Sequence, residues 1–160
     1  MNIFFNNLTF IAGEWEGTGH AKYPTITSLD YSEKLIFTIN NKDEVIHYEQ
    51  RTWIKSRDER NGEPIFWESG FIIYKGNELF ELVNTQKSGR VEILRGTAKM
   101  PDKEKIKLEL ESVSIMNDTQ MIRSGRVLNF SKDRLQYELK MSTEKNPAYQ
   151  THLTSNLIKK

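Results

Sequence analysis

The stretch Lys105-Ile-Lys-Leu-Glu-Leu-Glu111 alternates charged and apolar residues without interruption. Because successive side chains of a β-strand point to opposite faces, Ile106, Leu108 and Leu110 share one face and the charges share the other. The same period of two recurs elsewhere in the chain, at Leu35, Phe37 and Ile39 and at Leu135, Tyr137, Leu139 and Met141. The pattern predicts strands that bury one face and expose the other.

Turn-forming residues separate these alternating runs at short intervals, for example Lys75-Gly76-Asn77 and Lys87-Ser88-Gly89. The punctuation divides the chain into about ten strands. Short strands joined by tight turns favour an antiparallel up-and-down meander, and closing it into a β-barrel removes the exposed edges. We expect an all-β fold, one domain over residues 1–160, with a short helical turn near Asn6–Ile11 as its only helical piece.

The composition excludes several classes of function. Lys and Arg number 23 against 22 Asp and Glu, so a basic surface for nucleic acid or an anionic membrane is not expected. There is no cysteine, which removes disulfides, thiolate metal sites and cysteine nucleophiles. The chain shows neither a signal-peptide pattern nor an apolar run of roughly 20 residues. These features predict a cytoplasmic protein whose partner is a small molecule.

The segment Gly13-Glu-Trp-Glu-Gly-Thr-Gly19 lies inside the first predicted strand. Glycine weakens a strand unless another group must approach the backbone closely. The three glycines, Gly13, Gly17 and Gly19, therefore predict a sharp bend or close contact at the start of the barrel. We expect Trp15 to fill one end of the interior.

This segment opens a series of matches to one family. Five more follow in order along nearly the whole chain: Tyr23-Pro24-Thr25-Ile26, Tyr31-Ser32-Glu33, Glu68-Ser69-Gly70-Phe71, Gly89-Arg90-Val91-Glu92 with Gly96, and His152-Leu153. In this order and spacing the chain resembles the nitrobindins, a family also found behind a THAP zinc domain in animal proteins.

The resemblance implies a ten-stranded barrel of the calycin kind, akin to fatty-acid-binding proteins and lipocalins, with ferric haem b at one mouth. It implies that His152 is the axial ligand of the haem iron and that Thr25 contacts the haem. Nitrobindins bind nitric oxide, and isomerisation of peroxynitrite to nitrate is assigned to them. An exposed haem of this kind is weakly held, so purified protein is expected to lack part of it. A monomer or a homodimer fits the resemblance.

One position departs from the family pattern. Some members carry a histidine two residues before the Glu-Ser/Cys-Gly segment, on the open side of the haem, and here that position is Phe66. With Ile65 beside it, the distal side is expected to be apolar and to lack that hydrogen-bond donor. The change bears on catalysis more than on haem binding.

Without the family, the residues themselves leave the site open. Strict alternation in the last predicted strand, Tyr149–Ile158, places His152 on the opposite face from Leu153 and Leu157, so the pattern does not say whether His152 faces the interior. His20 and His47 are expected on the surface or as plain strand residues. The strand glutamates that could support acid–base chemistry, Glu33, Glu49, Glu68 and Glu92, are expected to be solvated or salt-bridged.

Barrel architecture by itself supports more than one function. A haem protein and a non-catalytic carrier of a fatty acid or another small hydrophobic ligand would use the same cavity. A barrel whose interior is filled by side chains would serve an interaction role instead. Only His152 in its family context separates the first hypothesis from the second.

Overall fold

The computed structural model of the protein describes residues 2–23 and 27–160. A short N-terminal helix, α1, is followed by a 3₁₀ turn at Asn7–Ile11 and by ten strands. The bounds are α1 Ile3–Asn6, β1 Gly13–Ala21, β2 Leu29–Asn40, β3 Val45–Lys55, β4 Pro64–Gly76, β5 Leu79–Gln86, β6 Val91–Asp102, β7 Lys105–Met116, β8 Met121–Ser131, β9 Arg134–Thr143 and β10 Asn146–Lys159.

The ten strands form one closed antiparallel barrel. Each strand pairs with the next in sequence, and β10 pairs with β1 from Trp15 opposite Lys159 to Ala21 opposite Leu153. This up-and-down order confirms the predicted fold. Closure gives every strand of the barrel a hydrogen-bonded neighbour on both sides.

Alternation decides which side chains fill the barrel. In β7 the predicted face is buried, since Ile106, Leu108 and Leu110 are each at most 4% exposed while the charged residues between them face outward. Phe37 in β2 and Leu135 in β9 are buried in the same way. The apolar core thus lies inside the barrel, as the period of two predicted.

One end of the barrel is closed by the N-terminal segment. The side chain of Asn2 accepts hydrogen bonds from the backbone N–H groups of Phe4 and Phe5, so helix α1 begins earlier than the helical turn predicted at Asn6–Ile11. Phe5, Leu8 and Ile11 from this segment join the core. No helix in the described ranges is long and apolar enough to cross a bilayer.

Trp15 lies at this closed end. It is fully buried, its indole Nε1 donates a 2.8 Å hydrogen bond to the backbone oxygen of Ile11, and its ring meets Phe130 edge-on with ring centres 5.6 Å apart. Trp15 thereby ties the 3₁₀ turn to the barrel wall. The opposite end, where β7 turns into β8, is the open mouth.

Candidate functional site

The mouth of the barrel contains a cavity of about 460 Å³, within the size range of small-molecule sites. Its wall is mostly apolar and aromatic, with polar side chains both at its inner end and at its rim, where Arg90 pairs with Asp118. The lining residues that carry the argument below are Tyr23, Tyr31, Gln50, Phe66, Tyr137 and Leu153. The interior is therefore not filled by side chains, and the hypothesis of a solid barrel is wrong at this end.

A second groove, of about 470 Å³, lies at the other end of the barrel around Lys105, Arg134 and Ile158. It contains none of the residues predicted to form a site. The mouth cavity is the candidate functional site for that reason.

Phe66 and Ile65 both line the mouth cavity. They lie on β4, which is four strands away from β10 around the barrel, so they face the cavity from the side opposite His152. Their side chains have no hydrogen-bonding group, and this part of the wall is apolar.

His152 occupies a bulge in β10. Thr151 pairs with Lys140 of β9, but the next paired residue is Leu153, opposite Leu139, so His152 is an extra residue between them. A bulge breaks the alternation of faces. His152 is 4% exposed and its neighbour Leu153 lines the cavity, so the strict alternation expected for this strand is wrong at this point.

The ring of His152 packs against Tyr23, which lines the cavity, with ring centres 5.1 Å apart, while His152 itself is not among the lining residues. Both ring nitrogens are buried, and neither has a hydrogen-bond partner among the described residues. Burial lowers the pKa of His152 below its usual 6.5, and the nearby backbone carbonyl of Met141, which lies outside hydrogen-bonding geometry, only partly opposes this. The imidazole is accordingly neutral at neutral pH, the form that binds a metal ion.

This environment fits the ligand of a haem iron. A buried imidazole without partners costs free energy unless another group satisfies it. An iron atom on one nitrogen would do so, and the adjoining cavity offers the apolar surface that a macrocycle requires. Thr25, the other predicted haem contact, lies outside the described residues.

The other two histidines lie outside the cavity. The ring of His20 is half exposed and its Nδ1 is 2.7 Å from a carboxylate oxygen of Asp30. His47 Nε2 is 2.9 Å from Ser69 Oγ, and the ring packs against Phe71. These placements agree with the surface or strand positions expected for them.

Beneath the cavity the interior is crossed by charged and polar side chains, which we call the polar belt: Glu33, Gln50, Glu68, Glu92 and Arg126. All five are at most 4% exposed. Glu68 and Glu92 are salt-bridged, as one form of the expectation had it, whereas Glu33 is neither solvated nor paired with a cation among the described residues, so the expectation is wrong for Glu33. One sequence signal could have revealed this for Glu33, which lies in phase with Tyr31, Leu35 and Phe37 on the inward face of β2.

Arg126 of β8 holds one half of the polar belt together. Its guanidinium forms a bidentate ion pair with Glu68 of β4 and a 3.1 Å hydrogen bond to Glu92 of β6, so it reaches across the barrel. Tyr48 donates a further 2.8 Å hydrogen bond to Glu68. Burial raises the pKa of Glu92, but Arg126 and Arg90 outweigh it and hold the pKa below its usual value. Glu92 therefore carries a charge at neutral pH.

Glu33 occupies the other half of the polar belt and has no cation in hydrogen-bonding contact. Its oxygens accept hydrogen bonds from Ser155 Oγ at 2.5 Å and from Gln50 Nε2 at 2.7 Å, both neutral donors. Burial raises the pKa of Glu33 to about 7, because these two hydrogen bonds only partly stabilise the charged form. Near neutral pH this carboxyl is thus divided between its protonated and its charged form.

The raised pKa of Glu33 predicts a pH-dependent stability. A carboxyl with a folded pKa near 7 and an unfolded pKa near 4.5 contributes fully below the lower value, and the contribution is lost as pH rises towards 7. A Glu33→Gln variant lacks this titration. We expect its free energy of unfolding, relative to wild type, to rise by about 2–3 kcal/mol between about pH 5 and about pH 8. Urea unfolding at both pH values measures this, and an unchanged difference would contradict it.

Known proteins resemble the chain along nearly its full length. The family model "THAP4-like, heme-binding beta-barrel domain" matches residues 5–159. A relative from Arabidopsis thaliana named "Peroxynitrite isomerase Rv2717c" is 34% identical over 98% of this chain and 89% of its own length. A Streptomyces coelicolor relative named "Ferric nitrobindin-like protein" is 26% identical over 76% of this chain and 62% of its own length.

A solved structure shares the whole architecture. The crystal structure of Rv2717c from M. tuberculosis superposes with a TM-score of 0.88 at 28% sequence identity, covering 100% of this chain and 99% of that one. The family match over residues 5–159 and the shared ten-stranded barrel lead to one conclusion. The chain belongs to the family of THAP4-like haem-binding β-barrel domains, which confirms the resemblance to nitrobindins.

Proposed function

We propose that the protein binds ferric haem at the barrel mouth with His152 as the axial ligand, and that it acts on nitric oxide or peroxynitrite there. The observation that carries the proposal is the environment of His152: a buried, neutral imidazole with two unpartnered nitrogens beside a cavity of about 460 Å³. Membership of a haem-binding family and relatives named peroxynitrite isomerase support it.

Each part of the site has a distinct role in this proposal. His152 supplies the ligand nitrogen, and Tyr23 packs on its ring and limits its rotation. Phe66 and Ile65 exclude water from the opposite wall of the cavity. Ferric haem, when bound, would supply the iron chemistry toward nitric oxide or peroxynitrite, and these residues would hold and shield it.

Haem is favoured over the alternative of a hydrophobic-ligand carrier by the same histidine. A carrier of a fatty acid needs an apolar cavity, which this chain has, but it gains nothing from an imidazole left without partners in the wall. The hydrogen-bonding side chains at the inner end of the cavity, Tyr31, Gln50 and Tyr137, already bond to partners within the barrel and do not distinguish the two ligands.

The test is a titration of the purified protein with ferric haem, followed by absorption. We expect a Soret band distinct from that of free haem, saturating at one equivalent per chain, because an imidazole ligand changes the iron's electronic structure. The His152→Ala variant should lose this band or shift it markedly, while its circular dichroism stays that of a β-barrel.

The other histidines provide matched controls. His20→Ala and His47→Ala remove an imidazole outside the cavity and should leave the Soret band and the stoichiometry as in wild type. If His152→Ala binds haem with the wild-type spectrum and affinity, His152 is not the ligand. If wild type itself produces no distinct band, the carrier hypothesis replaces the haem hypothesis.

A further inference from the structure

A chain of three oxygen atoms connects the buried carboxyl of Glu33 to the cavity. Ser155 Oγ lies 2.5 Å from Glu33 Oε2, and Tyr31 Oη lies 2.7 Å from Ser155 Oγ. Tyr31 lines the cavity, whereas Glu33 and Ser155 lie behind it and are each 2% exposed. Every link is a hydroxyl or a carboxyl, which can both donate and accept a hydrogen bond.

Glycine at position 19 makes this chain possible. A Cβ atom there would lie 2.2 Å from Tyr31 Cζ and 2.5 Å from Ser155 Oγ, which is closer than real contacts allow. Gly17, which pairs with Glu33, likewise has its missing Cβ only 2.0 Å from the backbone oxygen of Asn156. The two glycines of β1 let the side chains of β2 and β10 meet across it.

We propose that Tyr31 is the contact through which the protein exchanges a proton, or a hydrogen bond, with an oxygen atom of a ligand in the cavity, and that Glu33 stores this proton. The inference concerns the cavity to which the proposed function assigns haem, but it is a property of the haem-free chain. It assigns roles to Glu33, Ser155 and Tyr31 that the sequence did not indicate.

The direction of the hydrogen bonds follows the charge on Glu33. When Glu33 is ionised it accepts from Ser155, which in turn accepts from Tyr31, so Tyr31 presents a lone pair to the cavity. When Glu33 is protonated it donates to Ser155, Ser155 donates to Tyr31, and the hydroxyl of Tyr31 can donate to a ligand oxygen in place of its longer, 3.3 Å contact to the backbone oxygen of Thr154. The hydroxyl group of Tyr31 thus offers a hydrogen-bond acceptor to a ligand at high pH and a hydrogen-bond donor at low pH.

Proton transfer along the chain is balanced. The O–H bond of Glu33 breaks as an O–H bond forms on Ser155, the proton of Ser155 passes to Tyr31, and the proton of Tyr31 forms the new bond to the ligand oxygen. The negative charge remains on Glu33. Burial raises the pKa of Tyr31 far above neutral pH. The phenol can therefore transfer a proton to the ligand but does not remain ionised.

The charged and titratable groups around Glu33 allow it to store a proton near neutral pH. Arg126 is engaged by Glu68 and Glu92, so its charge is already compensated. Other titratable or charged groups face Glu33 from its own strand and from β9, β4 and β8: Tyr31, Tyr137, Glu68 and Arg126. Burial raises the pKa of Glu33, and the negative charge of Glu68 raises it further. Together they outweigh the attraction of Arg126 and leave the pKa of Glu33 near 7.

The test uses haem-free protein and infrared difference spectroscopy, with isotope-labelled glutamate and tyrosine. In wild type we expect the stretch of a protonated carboxyl to disappear with a midpoint at about pH 7. The C–O stretch of Tyr31, assigned with Tyr31→Phe, should shift at the same midpoint, because its hydroxyl changes from donor to acceptor. Glu33→Gln should remove both changes.

Serine variants distinguish coupling through the hydrogen-bond chain of Glu33, Ser155 and Tyr31 from a general effect of pH. Ser155→Ala should keep the Glu33 titration but abolish the accompanying Tyr31 shift. Ser142→Ala removes another buried serine, one that donates to the backbone oxygen of Pro147 instead, and should keep both. If Ser155→Ala fails to fold, the coincidence of the two wild-type midpoints still decides the matter.

Two results would overturn the inference. One is a wild-type Glu33 that titrates while the Tyr31 band stays fixed. The other is a titrating carboxyl band that persists in Glu33→Gln. Since no haem is added, a failure here leaves the proposed haem function untouched, and a failure of haem binding leaves this measurement valid.

Discussion

Replacing Trp15 with alanine should lower the free energy of unfolding by about 3–5 kcal/mol, the usual range for a large core aromatic. The indole is fully buried, it meets Phe130 edge-on, and its N–H satisfies the backbone oxygen of Ile11. The variant loses the packing, leaves a cavity and leaves that oxygen without its donor. Because Ile11 belongs to the segment that closes the barrel, we also expect this segment to exchange its amide hydrogens faster.

Trp67→Ala is the matched control for this change. Trp67 is 47% exposed on the outside of β4, where the guanidinium of Arg51 stacks on it at 4.1 Å. Its loss should cost about 1 kcal/mol or less. Denaturant unfolding of the two variants measures the contrast. Equal losses in the two proteins would show that Trp15 does not hold the closed end together.

Replacing Arg126 with methionine should also cost about 3–5 kcal/mol at neutral pH, for an electrostatic reason. The change leaves Glu68 buried without its cation and leaves Glu92 with Arg90 alone, since both glutamates are at most 1% exposed and both bond to Arg126. An unpaired buried carboxylate is far more costly than a paired one.

A variant that removes the whole ion cluster tests this reason. Combining Arg126→Met with Glu68→Leu and Glu92→Leu removes the three fully buried charges and leaves Arg90 paired with Asp118, and such replacements are often neutral or stabilising. We expect it to regain most of the stability that Arg126→Met loses. A single variant that unfolds like wild type, or a triple variant less stable than the single one, would contradict this account.

Much of the fold could be predicted from local sequence. Alternation such as that in Lys105–Glu111 places side chains on two faces wherever the strand goes, and turn residues mark where each strand ends. The helical turn was less well predicted, because the Asn2 cap that starts α1 lies outside any periodic pattern. The predicted burial of a strand face fails only where pairing slips, as in the bulge at His152.

The candidate site could be predicted only in part. Comparison with the family motifs named His152, Phe66 and Ile65, and the structure places Phe66 and Ile65 on the cavity wall and His152 against Tyr23, which also lines the cavity. The same motifs contain Glu33, Glu68 and Glu92, which were expected to be solvated or salt-bridged, and all three are buried in the polar belt. A buried charge is stable only with partners from other strands, and the partner Arg126 lies 34 residues or more away along the chain.

The sequence by itself determined what depends on neighbours along the chain: strand faces, turns, the closed antiparallel order and the family. Tertiary structure alone decided what depends on meetings across the barrel. It brought Ser155 of β10 to Glu33 of β2 over a glycine of β1. It also surrounded Glu33 with neutral hydrogen-bond donors while placing Glu68 and Glu92 against Arg126 in the same interior. The physical reason is that burial and the nearest charges set the ionisation of a group, and both arise only when distant strands close around it.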